Sequence, residues 1–101
     1  MLYFLLVMQK YELTVVLDGK ATPAKKKGVR ASVEKFITSL KGKVGTVEEW
    51  GEKPLSYKIG KSESGNFLYF PLELGPESTK ALSTKLSQEE EIIRYLLLRK
   101  D

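Results

Sequence analysis

Two runs of alternating apolar residues stand a short polar segment apart, and a chain that contains them has few ways to fold. In the first, Leu55, Tyr57 and Ile59 alternate with Ser56 and Lys58. In the second, Leu68, Phe70, Leu72 and Leu74 alternate with Phe67, Tyr69, Pro71 and Glu73. Period-two patterning sends successive side chains to opposite faces of a strand. The intervening Gly60-Lys61-Ser62-Glu63-Ser64-Gly65 is small and polar, as a loop requires. Val47 to Leu74 is therefore predicted to form an antiparallel hairpin that the remaining chain covers or extends.

The remaining elements follow from the same patterns. Tyr11, Leu13, Val15 and Leu17 alternate with Glu12, Thr14 and Val16, a first strand that Asp18-Gly19-Lys20-Ala21 ends. Thr22 before Pro23 fits an N-cap and first helical residue. Val29, Val33, Phe36, Ile37 and Leu40 then form an apolar stripe at helical spacing, with Gly42 suited to the C-terminal cap. Val44 and Val47 share a strand face only if a bulge separates them, and Gly45 suits one. Gly75-Pro76-Glu77 opens a second helix with a narrower stripe of Leu82 and Leu86, joined by Ala81. Ser87 to Glu91 connects it to a last strand, Ile92 to Leu98. There Arg94 decides the register, because an unpaired buried guanidinium is costly. Arg94, Leu96 and Leu98 should face away from the helices, and Ile93, Tyr95 and Leu97 toward them. The order strand, helix, strand, strand, helix, strand with right-handed crossovers predicts an α+β fold of the ferredoxin-like split βαβ type. It has a four-stranded antiparallel sheet, the first and third strands central, and two helices on one face.

At 101 residues the chain forms one domain, expected over 8–101 with residues 1–7 as an N-terminal extension. Met1 to Val7 is apolar but far shorter than the roughly 20 residues of a membrane span, and it lacks the basic start of a secretory signal. The absence of cysteine and histidine excludes disulfides, thiolate chemistry, Cys/His zinc sites and histidine acid–base catalysis. No paired carboxylates or glycine-rich phosphate loop stand in for them, so neither an enzyme, a cofactor nor a small-molecule substrate is expected. The net charge of +4 favours a polyanionic partner, although it also simply aids solubility. Basic residues concentrate toward the two ends, while residues 64–91 carry five Glu against Lys80 and Lys85.

The sheet face away from the helices should carry Thr14, Val16, Phe67, Tyr69, Leu96 and Leu98, more apolar surface than water normally meets. Phe67, Tyr69, Leu96 and Leu98 are the candidates for binding a protein partner. Gly65-Asn66-Phe67-Leu68-Tyr69-Phe70 also offers Phe67 and Tyr69 as a platform for stacked bases, although strand aromatics more often serve packing. Lys10, Lys53, Lys58, Lys61, Arg94, Arg99 and Lys100 group at strand ends and on the open sheet, as phosphate contacts would; each taken singly reads as a solvated charge. Lys25-Lys26-Lys27 opposes the dipole of the first helix and reads as a solvated face.

These residues resemble the family of the sixth protein of the bacterial small ribosomal subunit. The matches are Tyr11-Glu12-Leu13, Glu49-Trp50-Gly51 with Leu55, Tyr57 and Ile59, the Gly65 to Phe70 segment, and Ile93-Arg94, collinear from Met8 to Lys100. The resemblance implies a cytoplasmic ribosomal component without catalysis. It implies binding to the central domain of small-subunit ribosomal RNA together with small-subunit ribosomal protein eighteen. It sets Lys10, Lys53, Lys61, Arg94 and Arg99 where family members commonly have basic residues, and Tyr69 where they carry a large open-face side chain. Glu52, Glu89, Glu90 and Glu91 are more acidic than the family pattern. The alternatives are a stand-alone single-stranded RNA binder using Phe67 and Tyr69, or an interaction module that dimerises through the open sheet.

Overall fold

A computed structural model of the chain describes residues 8–59 and 62–100, and of 56–59 and 62 the backbone alone. The expected extension at 1–7, Lys61 and the side chain of Lys58 lie outside the described residues. In chain order the elements are β1 (Gln9–Asp18), α1 (Pro23–Ser39), β2 (Lys43–Val44), β3 (Glu48–Ile59), β4 (Ser62–Leu74), a 3-10 turn (Pro76–Ser78), α2 (Thr79–Ser87) and β5 (Ile92–Arg99). All strand pairs are antiparallel in the order β2-β4-β1-β5, and β3 continues along the same edge of β4 as β2. This is the ferredoxin-like α+β fold, with β1 and β4 central.

The central pair holds one unbroken register from Gln9 opposite Leu74 to Asp18 opposite Gly65. Its inward residues Tyr11, Leu13, Val15 and Leu17 meet Leu68, Phe70, Leu72 and Leu74 of β4 in the core. Val29, Val33 and Ile37 of α1 and Leu82 and Leu86 of α2 cover them, while Phe36 and Leu40 pack at the margin. Removing such side chains from water supplies about 25 cal/mol per Å² of apolar area, which makes the alternating pattern decisive for the faces. Among the described residues Asn66 is the buried polar one, and its Nδ2 donates to the carbonyl oxygens of Asp18 (3.1 Å) and Gly19 (3.0 Å). It ties the end of β1 to β4, and among the described residues no buried side-chain nitrogen or oxygen lacks a partner.

Five departures from the sequence expectation have local causes. The expected bulge near Gly45 is a full break, so among the described residues the sheet has five strands rather than four. The chain leaves the ladder after Val44, Gly45 donates its N–H to the Pro71 carbonyl at 2.7 Å, and Val44 and Val47 both reach the core. The hairpin loop is shorter than Gly60 to Gly65, because Ser62 to Gly65 already belong to β4. Gly65 serves close approach there: a Cβ would come within 2.5 Å of Val16 Cγ1. At the end of α1 the left-handed residue is Lys41 (φ 65°), not Gly42. Lys41 and Gly42 donate to the carbonyls of Thr38 (3.0 Å) and Ile37 (2.9 Å), the Schellman arrangement. Ala81 is exposed and takes no part in the α2 stripe. In β5 a register shift lies between Val16 opposite Arg94 and Leu17 opposite Ile92, so Ile92 rather than Ile93 packs on the core. Tyr95 and Leu97 face inward as the Arg94 argument requires.

Candidate functional site

The sheet face away from the helices is built from alternate residues of four strands. β1 contributes Lys10, Glu12, Thr14 and Val16, and β4 contributes Phe67, Tyr69, Pro71 and Glu73, opposite them in register. β5 adds Arg94, Leu96 and Leu98. Leu96 and Leu98 are 55% and 49% exposed, the largest apolar side chains of the face left to water apart from Trp50. Thr14, Val16, Phe67, Arg94 and Leu96 line a depression of about 450 Å³ beside them.

Trp50 enters this face through an irregularity in β3. The register shifts between Glu49, opposite Leu68, and Gly51, opposite Phe67, which leaves Trp50 as the extra residue. Gly51 has φ 81°, a conformation that a side chain would strain. The bulge turns the indole onto the face, where it stacks on Tyr69 with ring centroids 5.1 Å apart and planes at 12°. Lys53 Nζ lies 5.6 Å from the Trp50 ring and 6.0 Å from the Phe67 ring, so one ammonium spans both aromatics. Trp50 Nε1 donates to Glu48 at 3.1 Å and the Tyr69 hydroxyl donates to Glu12 at 3.0 Å. Lys100 Nζ reaches the same Glu12 oxygen at 3.8 Å. Burial raises the Tyr69 phenol above its ordinary 10.0, and the hydrogen bond to Glu12 and the charges of Glu12 and Glu48 push the same way.

The face can therefore offer apolar area, cations and an indole ring held in place by its neighbours. Among the described residues no group of three or more His, Cys, Asp or Glu could hold a metal ion. Lys10, Lys53, Arg94 and Lys100 lie on it or at its end. Arg99 does not: it pairs with the inward-facing Tyr11, donates to Gln9 at 2.9 Å, and lines a cleft with Thr79, Lys80 and Ser83 on the helix side. Phe67, Tyr69, Leu96 and Leu98 all share the face. Two residues enter that the sequence argument did not select as site residues, Trp50 and Lys43. An isolated glycine inside a strand, as in Trp50-Gly51, is the available signal for the first.

Comparison with known proteins now decides the family. The model of the family described as ribosomal protein S6 matches residues 10–99. The chain belongs to the ribosomal protein S6 family. Small ribosomal subunit protein bS6 of Beutenbergia cavernae is 32% identical over 93% of this chain and 98% of its own length. That of Alkaliphilus metalliredigens is 33% identical over 91% and 97%. Among solved structures, 30S ribosomal protein S6 of Thermotoga maritima superposes with a TM-score of 0.85 at 22% identity, covering 92% of this chain and 88% of that one. The C-terminal domain of the MgtC protein from Mycobacterium tuberculosis superposes at 0.62 and 16% identity, a likeness of fold alone. As an S6-family protein the chain is a structural component of the small subunit of the cytoplasmic ribosome and not an enzyme. No helix among the described residues is long and apolar enough to cross a membrane.

Proposed function

We propose that this S6-family chain binds small-subunit ribosomal RNA together with small-subunit ribosomal protein eighteen, and that the open sheet face serves both. The observation that carries the reading is the exposed pair Leu96 and Leu98 on a sheet face bordered by Lys10, Lys53, Arg94 and Lys100. The two leucines, with Phe67 beside them, offer the apolar area that a protein partner desolvates. Lys10, Lys53, Lys58, Lys61, Arg94, Arg99 and Lys100 are the proposed phosphate contacts, with Lys10, Lys53, Arg94 and Lys100 on the face itself and Arg99 outside it, on the helix side. The stand-alone base-stacking alternative is less favoured, because Trp50 already covers one side of Tyr69 and Lys53 lies over Phe67.

The two roles separate by salt. The Lys10→Ala/Lys100→Ala variant should fold normally, weaken binding to ribosomal RNA, and lower the slope of log affinity against log salt by about one unit per lysine. Leu96→Asp/Leu98→Asp should abolish association with protein eighteen, which in the parent depends little on salt. Fluorescence titration against the central-domain RNA and against protein eighteen, each at several salt concentrations, reads both. An unchanged slope in the lysine variant removes those contacts from the proposal. Undiminished binding by the aspartate variant removes the leucines.

A further inference from the structure

At the end of the open face where β2 breaks away from β3, a depression of about 340 Å³ lies between β2, β4 and the start of β1. Lys10, Lys43 and Lys100 line it, together with one carboxylate, Glu73, and the apolar Val44 and Pro71. Register explains the gathering. Lys10 and Lys43 both stand opposite Glu73, from β1 and β2 respectively, and the Lys100 N–H donates to the Lys10 carbonyl at 2.8 Å. The ammoniums of Lys10 and Lys43 form no ion pair among the described residues, and that of Lys100 shares Glu12 at 3.8 Å. The break in the second strand makes the hollow. Gly45 presents only backbone there, and a Cβ would stand 3.1 Å from Pro71 Cγ.

We propose that this depression holds a single unpaired nucleotide of RNA, its phosphate among Lys10, Lys43 and Lys100 and its base or ribose against Pro71 beside the chain break at Gly45. The inference rests on the RNA-binding reading above and names the form of RNA at this part of the face. Three ammoniums against Glu73, with Glu12 at the far side of Lys100, leave a positive excess that selects an anion. The volume falls at the lower end of the range for small-molecule sites, roughly 300–1,000 Å³, so a nucleotide fits. Duplex phosphates on the outside of a rod would meet the lysines without filling the hollow. A carboxylate side chain of a partner protein would supply the charge and leave the apolar wall wet. A nucleotide released from its stack brings an anionic group and a flat ring in one unit.

The test uses the full chain labelled with ¹⁵N and titrated separately with adenosine monophosphate, uridine monophosphate, inorganic phosphate and adenosine. The monophosphates should shift the amides of Lys10, Lys43, Gly45 and Lys100 saturably at millimolar concentration. They should bind several-fold more tightly than phosphate or adenosine alone. Lys43→Glu should abolish the shifts, whereas Glu73→Gln should tighten binding, a gain that a purely structural role does not give. Shifts scattered over all basic surfaces, or equal binding of inorganic phosphate, overturn the proposal. So does loss of nucleotide binding when protein eighteen is added without RNA, because the occupant is then protein. Affinity for ribosomal RNA is measured in parallel: if the parent binds it and Lys43→Glu binds equally well, only this inference falls. If the parent with protein eighteen does not bind it, the function proposed above falls, and this inference with it.

Discussion

Lys41 holds the left-handed turn at the end of α1 beside a glycine that does not need that freedom. Its positive φ costs roughly 1–2 kcal/mol for a residue with a Cβ, whereas Gly42 is required because a Cβ would lie 2.7 Å from the Glu73 carbonyl oxygen and 2.9 Å from Ile37 Cγ2. Lys41→Gly should thus stabilise the chain by about 0.5–1 kcal/mol after the backbone entropy of glycine is subtracted. Gly42→Ala should destabilise it by about 1–3 kcal/mol through overpacking, both read by urea denaturation. The sequence shows a glycine near a helix end but not which of two adjacent residues turns, since packing against β4 makes that choice. Tyr69 gives a second residue-level expectation. Its phenol is raised in the folded state, so the neutral form is favoured there, and the associated stability is present below the ordinary value of 10.0 and is lost as pH rises through the folded value. Unfolding free energy measured between pH 9 and 12 should fall more steeply for the parent than for Tyr69→Phe. Parallel curves would show that the phenol makes no difference.

Among the elements, β4 was the most legible in sequence and β3 the least. Leu68, Phe70, Leu72 and Leu74 alternate without interruption, and all four are buried. Phe70→Ala should cost about 3–5 kcal/mol. Tyr69→Ala, one residue along and on the open face, should cost clearly less even though it gives up the Trp50 stack and the Glu12 hydrogen bond. Equal losses in thermal denaturation would contradict the assigned faces. In β3 the alternation fails at Trp50, because a bulge shifts the side-chain order by one and its φ 81° at Gly51 leaves only a glycine as trace. β5 lies between these cases. Arg94 fixed which of its residues face out, and the costs of burying charge settle nothing for the two isoleucines beyond the register shift. The open-face positions of Lys10 and Lys100 were likewise readable from strand parity, whereas Lys53, which shares the parity of Leu55, was placed there only by the structure. The inclusion of Lys43 was not readable either, because it depends on where the second strand breaks.

At the scale of the molecule the sheet is longer than the layer that protects it. The chain extends 46 Å along one axis against 25 and 23 Å along the others. β1 accompanies β4 only as far as Gly65, opposite Asp18, with the Gly19 N–H still on the Ser64 carbonyl at 2.9 Å; beyond Ser64, out to Ile59 opposite Ser62, the described pairing joins β3 and β4 alone. A ribbon of two strands that has, among the described residues, no third strand or helix beside it is marginal in water, and its rungs open at free energies far below that of global unfolding. Deuterium should therefore enter the outer rungs of the free chain rapidly, while the amides of Leu13 and Phe70 wait for global opening. Once the ribbon lies against a larger particle, those same rungs should slow. The outer hairpin then acts as a clock for assembly: pulses of deuterium given at successive times during subunit reconstitution would date its docking from the moment its amides stop exchanging. Outer rungs already slow in the isolated chain would show that the clock does not exist.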